Sequence, residues 1–100
     1  MSTDIVMPPT HPGEILREEF LEPLGISNYR LAKDLGIPET RVAAIIHGRR
    51  SITADTGLRL ARYLNMSEGF WTGMQDDYDR AVAKDQLGEQ LQRITPHNAA

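Results

Sequence analysis

The segment LAKDLGIPETRVAAII, residues 31–46, contains two short apolar runs at helical spacing on either side of a glycine. Ala32 provides the small side chain needed where two helices cross, and Gly36, four positions later, can take the positive φ of a tight turn. Apolar residues follow the turn and line the inner face of the second run, namely Ile37, Val42 and Ile45. An ordinary helical hairpin would share single positions of this pattern. The combined spacing, followed by HGRR at residues 47–50, favours a helix-turn-helix that binds DNA.

The sequence on both sides of this motif also predicts helices and no strands. We expect five helices, because apolar residues recur at intervals of three and four between good capping residues. The residues predicted to begin or end these helices are Pro12, Pro23, Gly25, Ser27, Gly36, Pro38, Gly48, Thr53, Asn65 and Ser67. Leu87, Leu91 and Ile94 indicate a further helical stretch beyond the fifth helix. The predicted fold class is all-α.

A length of 100 residues fits one domain with a single hydrophobic core. Residues 1–10 contain two prolines and no periodicity, so we predict a flexible arm there. We expect the helix-turn-helix domain to span residues 11–85, with the motif itself at about residues 27–47. Residues 86–100 are predicted to form a C-terminal helical extension and tail.

The formal net charge of −3 hides an uneven distribution along the chain. Residues 27–65 hold seven basic and three acidic residues, a net charge of +4, whereas residues 1–26 carry −4 and residues 66–100 carry −3. Because lysine and arginine neutralise phosphates, the basic middle is the stretch predicted to bind DNA. Three solvated surfaces would give the same charges, so charge alone leaves that alternative open.

The composition argues against several other classes of protein. The absence of cysteine excludes a disulfide or a thiolate zinc site. No apolar run reaches the length of a membrane span, and MSTDIVMPPT at the start lacks the features of a secretory signal, so we expect a cytosolic protein. The histidines His11, His47 and His97 are scattered and form no catalytic or metal-binding motif. We therefore predict no enzymatic activity, no metal and no cofactor.

Three residues are predicted to contact the DNA backbone. Asn28 lies at the start of the second helix, where a helix N-terminus favours phosphate. Arg49 and Arg50 follow the third helix and form the main basic edge of the chain. The alternative interpretation is that these two arginines only keep a loop soluble.

A single recognition helix covers only a few base pairs, so we predict a homodimer that binds a palindromic operator. The candidate interface is an apolar stripe at helical spacing in the fifth helix. Its members are Phe70, Trp71, Met74, Tyr78 and Val82. Part of this stripe must also cover the fourth helix, so the assignment of each residue to core or interface stays open at this point.

Taken together with its flanking segments, the sequence resembles the HigA-type antitoxins, also called VapI-like antidote proteins, of the Cro/cI-like group. The resemblance covers roughly residues 11–85, in the stretches HPGEILREEFL (11–21), SNYRLAKDLGIPETRV (27–42), IIHGRRSITADT (45–56), LRLARYL (58–64) and FWTGMQDDYD (70–79). The core is shared with many repressors and is specific only for DNA binding. HPGEIL and FWxxMQxxYD are the parts that point to this group.

The resemblance implies a five-helix, lambda-repressor-like domain and a homodimer that represses its own operon. It also implies a partner, a small RelE/HigB-like ribonuclease toxin that the antitoxin holds inactive. By match to the recognition helix of this group, the base-reading residues are Glu39, Thr40, Arg41 and Ala44. Glu39 is unusual on a surface that meets phosphates. It is open whether Glu39 accepts from a cytosine, stabilises the helix N-terminus or repels other DNA.

The first predicted helix carries Glu14, Glu18 and Glu22 at intervals of four, on one face, where like charges repel each other. A ribonuclease toxin must bind RNA and should therefore present a positive surface. We predict that residues 1–22 help to dock the toxin while residues 28–50 hold DNA. A solvated acidic face explains the same pattern equally well.

Two other functions stay open from the sequence. A stand-alone Cro/cI-like transcriptional repressor without a toxin would carry the same DNA-binding residues. A protein-interaction module that has lost DNA binding is a further alternative, against which Arg41, Arg49 and Arg50 argue.

Overall fold

Helices account for all the regular secondary structure in residues 8–98, the part of the chain that the computed structural model describes. Six helices follow one another: α1 over residues 12–24, α2 over Asn28–Leu35, α3 over Glu39–Ile46, α4 over Ala54–Leu64, α5 over Phe70–Leu87 and α6 over Glu89–Gln92. The prediction of an all-α, helix-turn-helix fold is confirmed. The part of the predicted arm that precedes residue 8 lies outside the described residues.

Helix α1 is continuous but not uniform. It is α-helical over Pro12–Ile15, π-helical over Leu16–Leu21 and α-helical again over Glu22–Leu24. Pro23 lacks the N–H group that an α-helix would bond to the carbonyl of residue 19, and its ring crowds that carbonyl, which favours a wider turn before it. The helix ends where Gly25 takes a left-handed conformation, as predicted.

Helices α2 and α3 form the predicted motif. Ser27 caps α2, since its hydroxyl oxygen accepts from the Arg30 N–H at 3.0 Å. Gly36 ends α2 with φ of +75°, which allows the sharp turn into α3. Pro38 occupies the N-terminal cap of α3, and His47 the C-terminal cap.

Helix α4 has the predicted boundaries, but α5 begins later than predicted. Thr53 caps α4, and Asn65 ends it in the left-handed conformation. The prediction that Ser67 caps the fifth helix is wrong, because α5 begins at Phe70 and Gly69 occupies its cap position. A short turn, in which the Phe70 N–H bonds to the Ser67 carbonyl at 3.2 Å, separates the predicted cap from the helix.

One hydrophobic core joins α1 to α5. Its buried apolar residues are Leu16, Leu21, Leu31, Ala32, Leu35, Ile37, Val42, Ile45, Ile46, Ile52, Leu60, Ala61 and Trp71. Trp71 is fully buried and makes edge-to-face contacts with Phe20 and Phe70. The core therefore fixes α3 against the rest of the domain and leaves its outer face to solvent.

The second half of α5 projects from this body. Val82 is the last residue that is even partly buried, and residues 83–98 are all exposed. The projection gives principal extents of 52 × 32 × 22 Å. The division into a domain over residues 11–85 and a C-terminal extension over residues 86–100 stays a proposal, and residues 99–100 lie outside the described part of the chain.

Candidate nucleic-acid interface

The outer face of α3 carries the four residues predicted to read bases. Glu39 and Thr40 occupy the first turn and are exposed, and Arg41 and Ala44 are half-buried beside them. Val42, Ile45 and Ile46 on the other side are buried in the core. An eight-residue helix is about 12 Å long, a suitable size for the major groove.

Arg41 is held by the body of the protein while its charge stays uncompensated. Its Nε atom is buried without a hydrogen-bond partner, and among the described residues its guanidinium group forms no ion pair. A buried donor without a partner costs free energy. Among the described residues no carboxylate neutralises the guanidinium charge of Arg41, which leaves this charge for a ligand of α3.

The other arginines divide into two groups. Five of them form ion pairs with nearby carboxylates: Arg17, Arg30, Arg59, Arg80 and Arg93. Within residues 8–98, no ion pair involves Arg41, Arg49, Arg50 or Arg62. Three of these four lie on or directly after α3, so positive charge is concentrated at the end of the helix-turn-helix.

The loop over residues 47–53, which we call the phosphate loop, holds Arg49 and Arg50 with exposed side chains. Its first turn is fixed by hydrogen bonds from the Gly48 N–H to the Ile45 carbonyl, at 3.0 Å, and from the Arg49 N–H to the Ala44 carbonyl, at 2.8 Å. Asn28, the third predicted backbone contact, is the first residue of α2 and is half-buried.

Helix α1 packs directly against the end of α3. A Cβ atom at Gly13 would overlap the backbone carbonyl of Ile45, so only glycine fits at this position. The glycine of the HPGE segment thus allows two backbones to approach closely, and this contact sets the position of the recognition helix.

His11 has a structural role that its position in the sequence did not predict. Its Nδ1 atom accepts from the Gly13 N–H at 2.9 Å and caps α1, and its ring lies beside Gly48 at the start of the phosphate loop. The ring also meets Tyr78 edge to face, with centroids 5.0 Å apart. Burial lowers the pKa of His11, against the opposing effect of the Asp79 charge. The only signal in the sequence was that histidine stands directly before Pro12 at a helix start.

Gln75 was also missed. It is 5% exposed, and its Oε1 atom accepts from the Ile52 N–H at 2.8 Å, inside the protein. Its Nε2 atom donates to Asp79 at 2.9 Å. A polar residue within an apolar helix stripe gives no indication of a partner 23 residues away in the chain.

Comparison with known proteins agrees with this geometry. The helix-turn-helix family matches residues 17–71. The virulence-associated protein I of Dichelobacter nodosus is 49% identical over 78 residues, which is 78% of this chain and 72% of that protein. The antitoxin HigA of Pseudomonas aeruginosa, solved with the higBA promoter, is 41% identical with a TM-score of 0.85, over 90% of this chain and 99% of that one. An addiction module antidote protein of the HigA family from Coxiella burnetii is 47% identical with a TM-score of 0.85, over 91% and 100%.

The chain belongs to the HigA family of helix-turn-helix antitoxins. The resemblance read from HPGEIL and FWxxMQxxYD is therefore confirmed.

One member of the predicted dimer interface needs correction in this HigA-family chain. Trp71 has no exposed surface, so its side chain belongs to the core and is closed to a second copy. Phe70 and Met74 are half-buried and pack partly against the same core, and Tyr78 meets His11. Phe70, Met74, Tyr78 and Val82 stay a predicted interface.

The glutamates of α1 do not form the unpaired, mutually repelling set that the sequence predicts. Arg17 bonds to Glu22 at 2.9 Å and to Glu18 at 3.0 Å, and the π-helical turn brings Arg17 and Glu22 together across five residues. Glu14 is exposed and forms no ion pair among the described residues. A basic partner would therefore meet an unpaired charge at Glu14, whereas Glu18 and Glu22 are already paired with Arg17.

The described part of the HigA-family chain contains neither a metal-binding group of side chains nor a helix that could span a membrane. Across residues 8–98, no three carboxylate or histidine side chains come together in a group that could hold a metal ion. In the same range, no helix combines the length and apolar character needed to cross a membrane.

Proposed function

We propose that this protein is the antitoxin of a type II toxin-antitoxin pair, which represses its own operon and neutralises a RelE/HigB-like ribonuclease toxin. The observation that carries the DNA-binding part is the set of uncompensated arginines on and after α3. Relatives with names of antitoxins, one of them solved with promoter DNA, support the same conclusion. The protein acts by binding rather than by catalysis, and both activities require it to act in the cytoplasm.

In this proposal α3 enters the major groove with its N-terminal end towards the base edges. Glu39, Thr40, Arg41 and Ala44 read the bases there. Arg41 can form two hydrogen bonds with one guanine, and the methyl group of Ala44 can contact a thymine methyl. Asn28 at the start of α2 and the arginines of the phosphate loop contact the backbone on either side.

Reading an operator with adequate specificity requires two copies of α3. We propose a twofold homodimer that binds half-sites about 34 Å apart, or a multiple of that distance. The interface uses the exposed parts of Phe70, Met74, Tyr78 and Val82 on α5. Sedimentation should show a dimer at micromolar concentration, and a monomer at that concentration would contradict the proposal.

The deciding experiment has two parts. Fluorescence anisotropy with duplex DNA from the promoter of its own operon should show tighter binding than with a scrambled duplex of the same length. Co-expression with the adjacent short gene should yield a complex that copurifies. Specific DNA binding without copurification would favour the stand-alone repressor, and absence of DNA binding would favour the interaction module.

Replacing Arg49 and Arg50 together by alanine should weaken binding to all DNA sequences equally. The logarithm of the association constant falls linearly with the logarithm of the salt concentration. Each lost phosphate contact reduces the steepness of this fall by about 1, so the double variant should have a slope shallower by about 2. A salt titration from low to moderate ionic strength measures this slope. Arg93→Ala is the matched control, because Arg93 pairs with Glu89 on α6, away from α3. An unchanged slope in the double variant would remove the phosphate loop from the interface.

Replacing Glu14, Glu18 and Glu22 by glutamine should weaken toxin binding and leave operator binding equal or stronger. The loss should be larger at low salt, because the attraction between acidic and basic surfaces is screened by ions. Isothermal titration with the purified toxin measures it. Since Glu14 has no ion pair, the single variant Glu14→Gln should account for most of the effect.

The control for charge removal is a variant with asparagine at Asp76 and Asp77 and glutamine at Glu89. It removes three negative charges from α5 and α6 instead of α1. If toxin affinity falls in this variant and stays constant in the α1 variant, the docking surface lies on the acidic C-terminal third.

A further inference from the structure

The two segments that carry the resemblance to HigA, HPGE and FWxxMQxxYD, are far apart in sequence and meet at the phosphate loop. His11 from the first segment lies beside the start of the loop, where a Cβ atom at Gly48 would be 3.7 Å from its ring. Gln75 from the second segment is hydrogen-bonded to the loop backbone at Ile52. The loop therefore packs against His11 near its start and is hydrogen-bonded to Gln75 near its end, and the exposed side chains of Arg49 and Arg50 lie between these two points.

Gln75 is fixed in the orientation that this contact needs. Asp79, one turn further along α5, accepts from the Nε2 atom of Gln75, which directs the Oε1 atom to the Ile52 N–H. Ile52 itself is 2% exposed, so its N–H group has no access to water and depends on Gln75 for its hydrogen bond.

His11 connects three elements at once. Its ring caps α1 through Gly13, packs against Tyr78 on α5 and lies beside the loop. The charged or titratable groups around it are Asp79 and Tyr78 on α5 and Arg50 on the loop. A Cβ atom at Gly48 would lie in contact with the same ring, so the start of the loop also packs against His11.

We propose that His11 and Gln75 are positioning residues for operator binding, which hold the phosphate loop so that Arg49 and Arg50 face the DNA backbone. This inference rests on the proposed DNA-binding function. A loop that is ordered before binding loses less conformational freedom on the DNA, so its contacts contribute more to affinity. Neither residue touches DNA in this proposal.

The test separates the cap of α1 from the contact with the loop. Asparagine is a favoured N-terminal cap, so His11→Asn can keep the cap while it removes the ring from Arg50 and Tyr78. Gln75→Leu removes the partner of the Ile52 N–H at similar size. Each variant should weaken binding to duplex promoter DNA between about threefold and tenfold, as expected for the loss of one contact that holds the loop. Circular dichroism and thermal unfolding establish that each variant is folded.

Tyr63→Phe is the control for the general loss of a tertiary hydrogen bond. It removes the bond from the Tyr63 hydroxyl to Asp34, which joins α4 to α2 away from the phosphate loop. This variant should bind promoter DNA as the unmodified protein does. If it weakens binding as much as His11→Asn, the effects reflect overall stability, and the proposal fails.

A double-mutant cycle asks whether His11 acts through Arg50. In an Arg50→Ala background, His11→Asn should have little further effect on DNA affinity, because the side chain that it positions is gone. Full additivity of the two changes would overturn the proposal.

The pH profile of the unmodified protein gives a readout that does not depend on variant folding. Protonation of Nδ1 removes the acceptor for the Gly13 N–H, which orients the ring beside the loop. Burial lowers the pKa of His11, so DNA affinity should fall only as the pH drops below the ordinary titration range of histidine. If protonation acted only by adding positive charge to the protein, DNA affinity would instead rise on acidification. The fall should be absent in His11→Asn, and affinity that rises or stays constant on acidification would contradict the proposal. If the unmodified protein fails to bind promoter DNA at neutral pH, the proposed function itself fails, which is a different result.

Discussion

Replacing Gly13 by alanine is expected to lower the free energy of unfolding by about 3 kcal/mol, at the upper end for an overpacked site. The new methyl group would overlap the Ile45 carbonyl, and this atom belongs to backbone that cannot rotate away as a side chain could. Either α1 or the end of α3 must then shift. Urea unfolding measures the stability, and operator affinity should fall with it because the recognition helix is displaced.

Gly73→Ala is the matched control for this substitution. Gly73 lies inside α5, and a Cβ atom there would meet nothing within 4 Å. Alanine is favoured over glycine in a helix interior, so this variant should be more stable by up to about 1 kcal/mol. If the two variants changed the free energy of unfolding and the operator affinity by equal amounts, the contact between Gly13 and Ile45 would not determine the position of α3.

Replacing Arg41 by alanine is expected to weaken operator binding by about 1–3 kcal/mol and to relax the preference at one base pair. Stability should change little, because among the described residues Arg41 forms no ion pair and its Nε atom has no partner. Anisotropy measured against a panel of duplexes, each with one altered base pair, identifies the affected position.

Arg41→Lys decides between base reading and a phosphate contact. Lysine keeps the positive charge but lacks the planar fork that forms two bonds with a guanine. A base reader should lose its preference in this variant, whereas a phosphate contact should be largely restored. If Arg41→Ala weakens binding to every duplex by the same factor, Arg41 contacts the backbone instead.

Much of the helical framework could be predicted because its causes are local. A capping hydroxyl at Ser27 or Thr53 and a left-handed residue at Gly36 or Asn65 act on backbone groups within a few positions. Ser67 shows the limit of this reasoning. It is a good capping residue by type, but the chain forms a separate turn before α5 begins.

Contacts set by the three-dimensional arrangement of the helices could not be predicted from the sequence. The fully buried Trp71 and the half-buried Met74 belong to one apolar stripe, and only packing against α1 and α4 decides which of them reaches the surface. The pairing of Arg17 with Glu22 depends on a π-helical turn that an α-helical spacing rule does not anticipate.

By itself, the sequence determined the all-helical class, the helix-turn-helix, its basic character and the HigA family, since each follows from local periodicity, charge or motif. Only the tertiary structure places Gly13 against the backbone of Ile45, His11 beside the start of the phosphate loop and Gln75 at the Ile52 N–H. The physical reason is that a hydrogen bond or a close backbone contact depends on distances in space, and residues 11, 50 and 75 are brought together only when α1 and α5 pack on the same core.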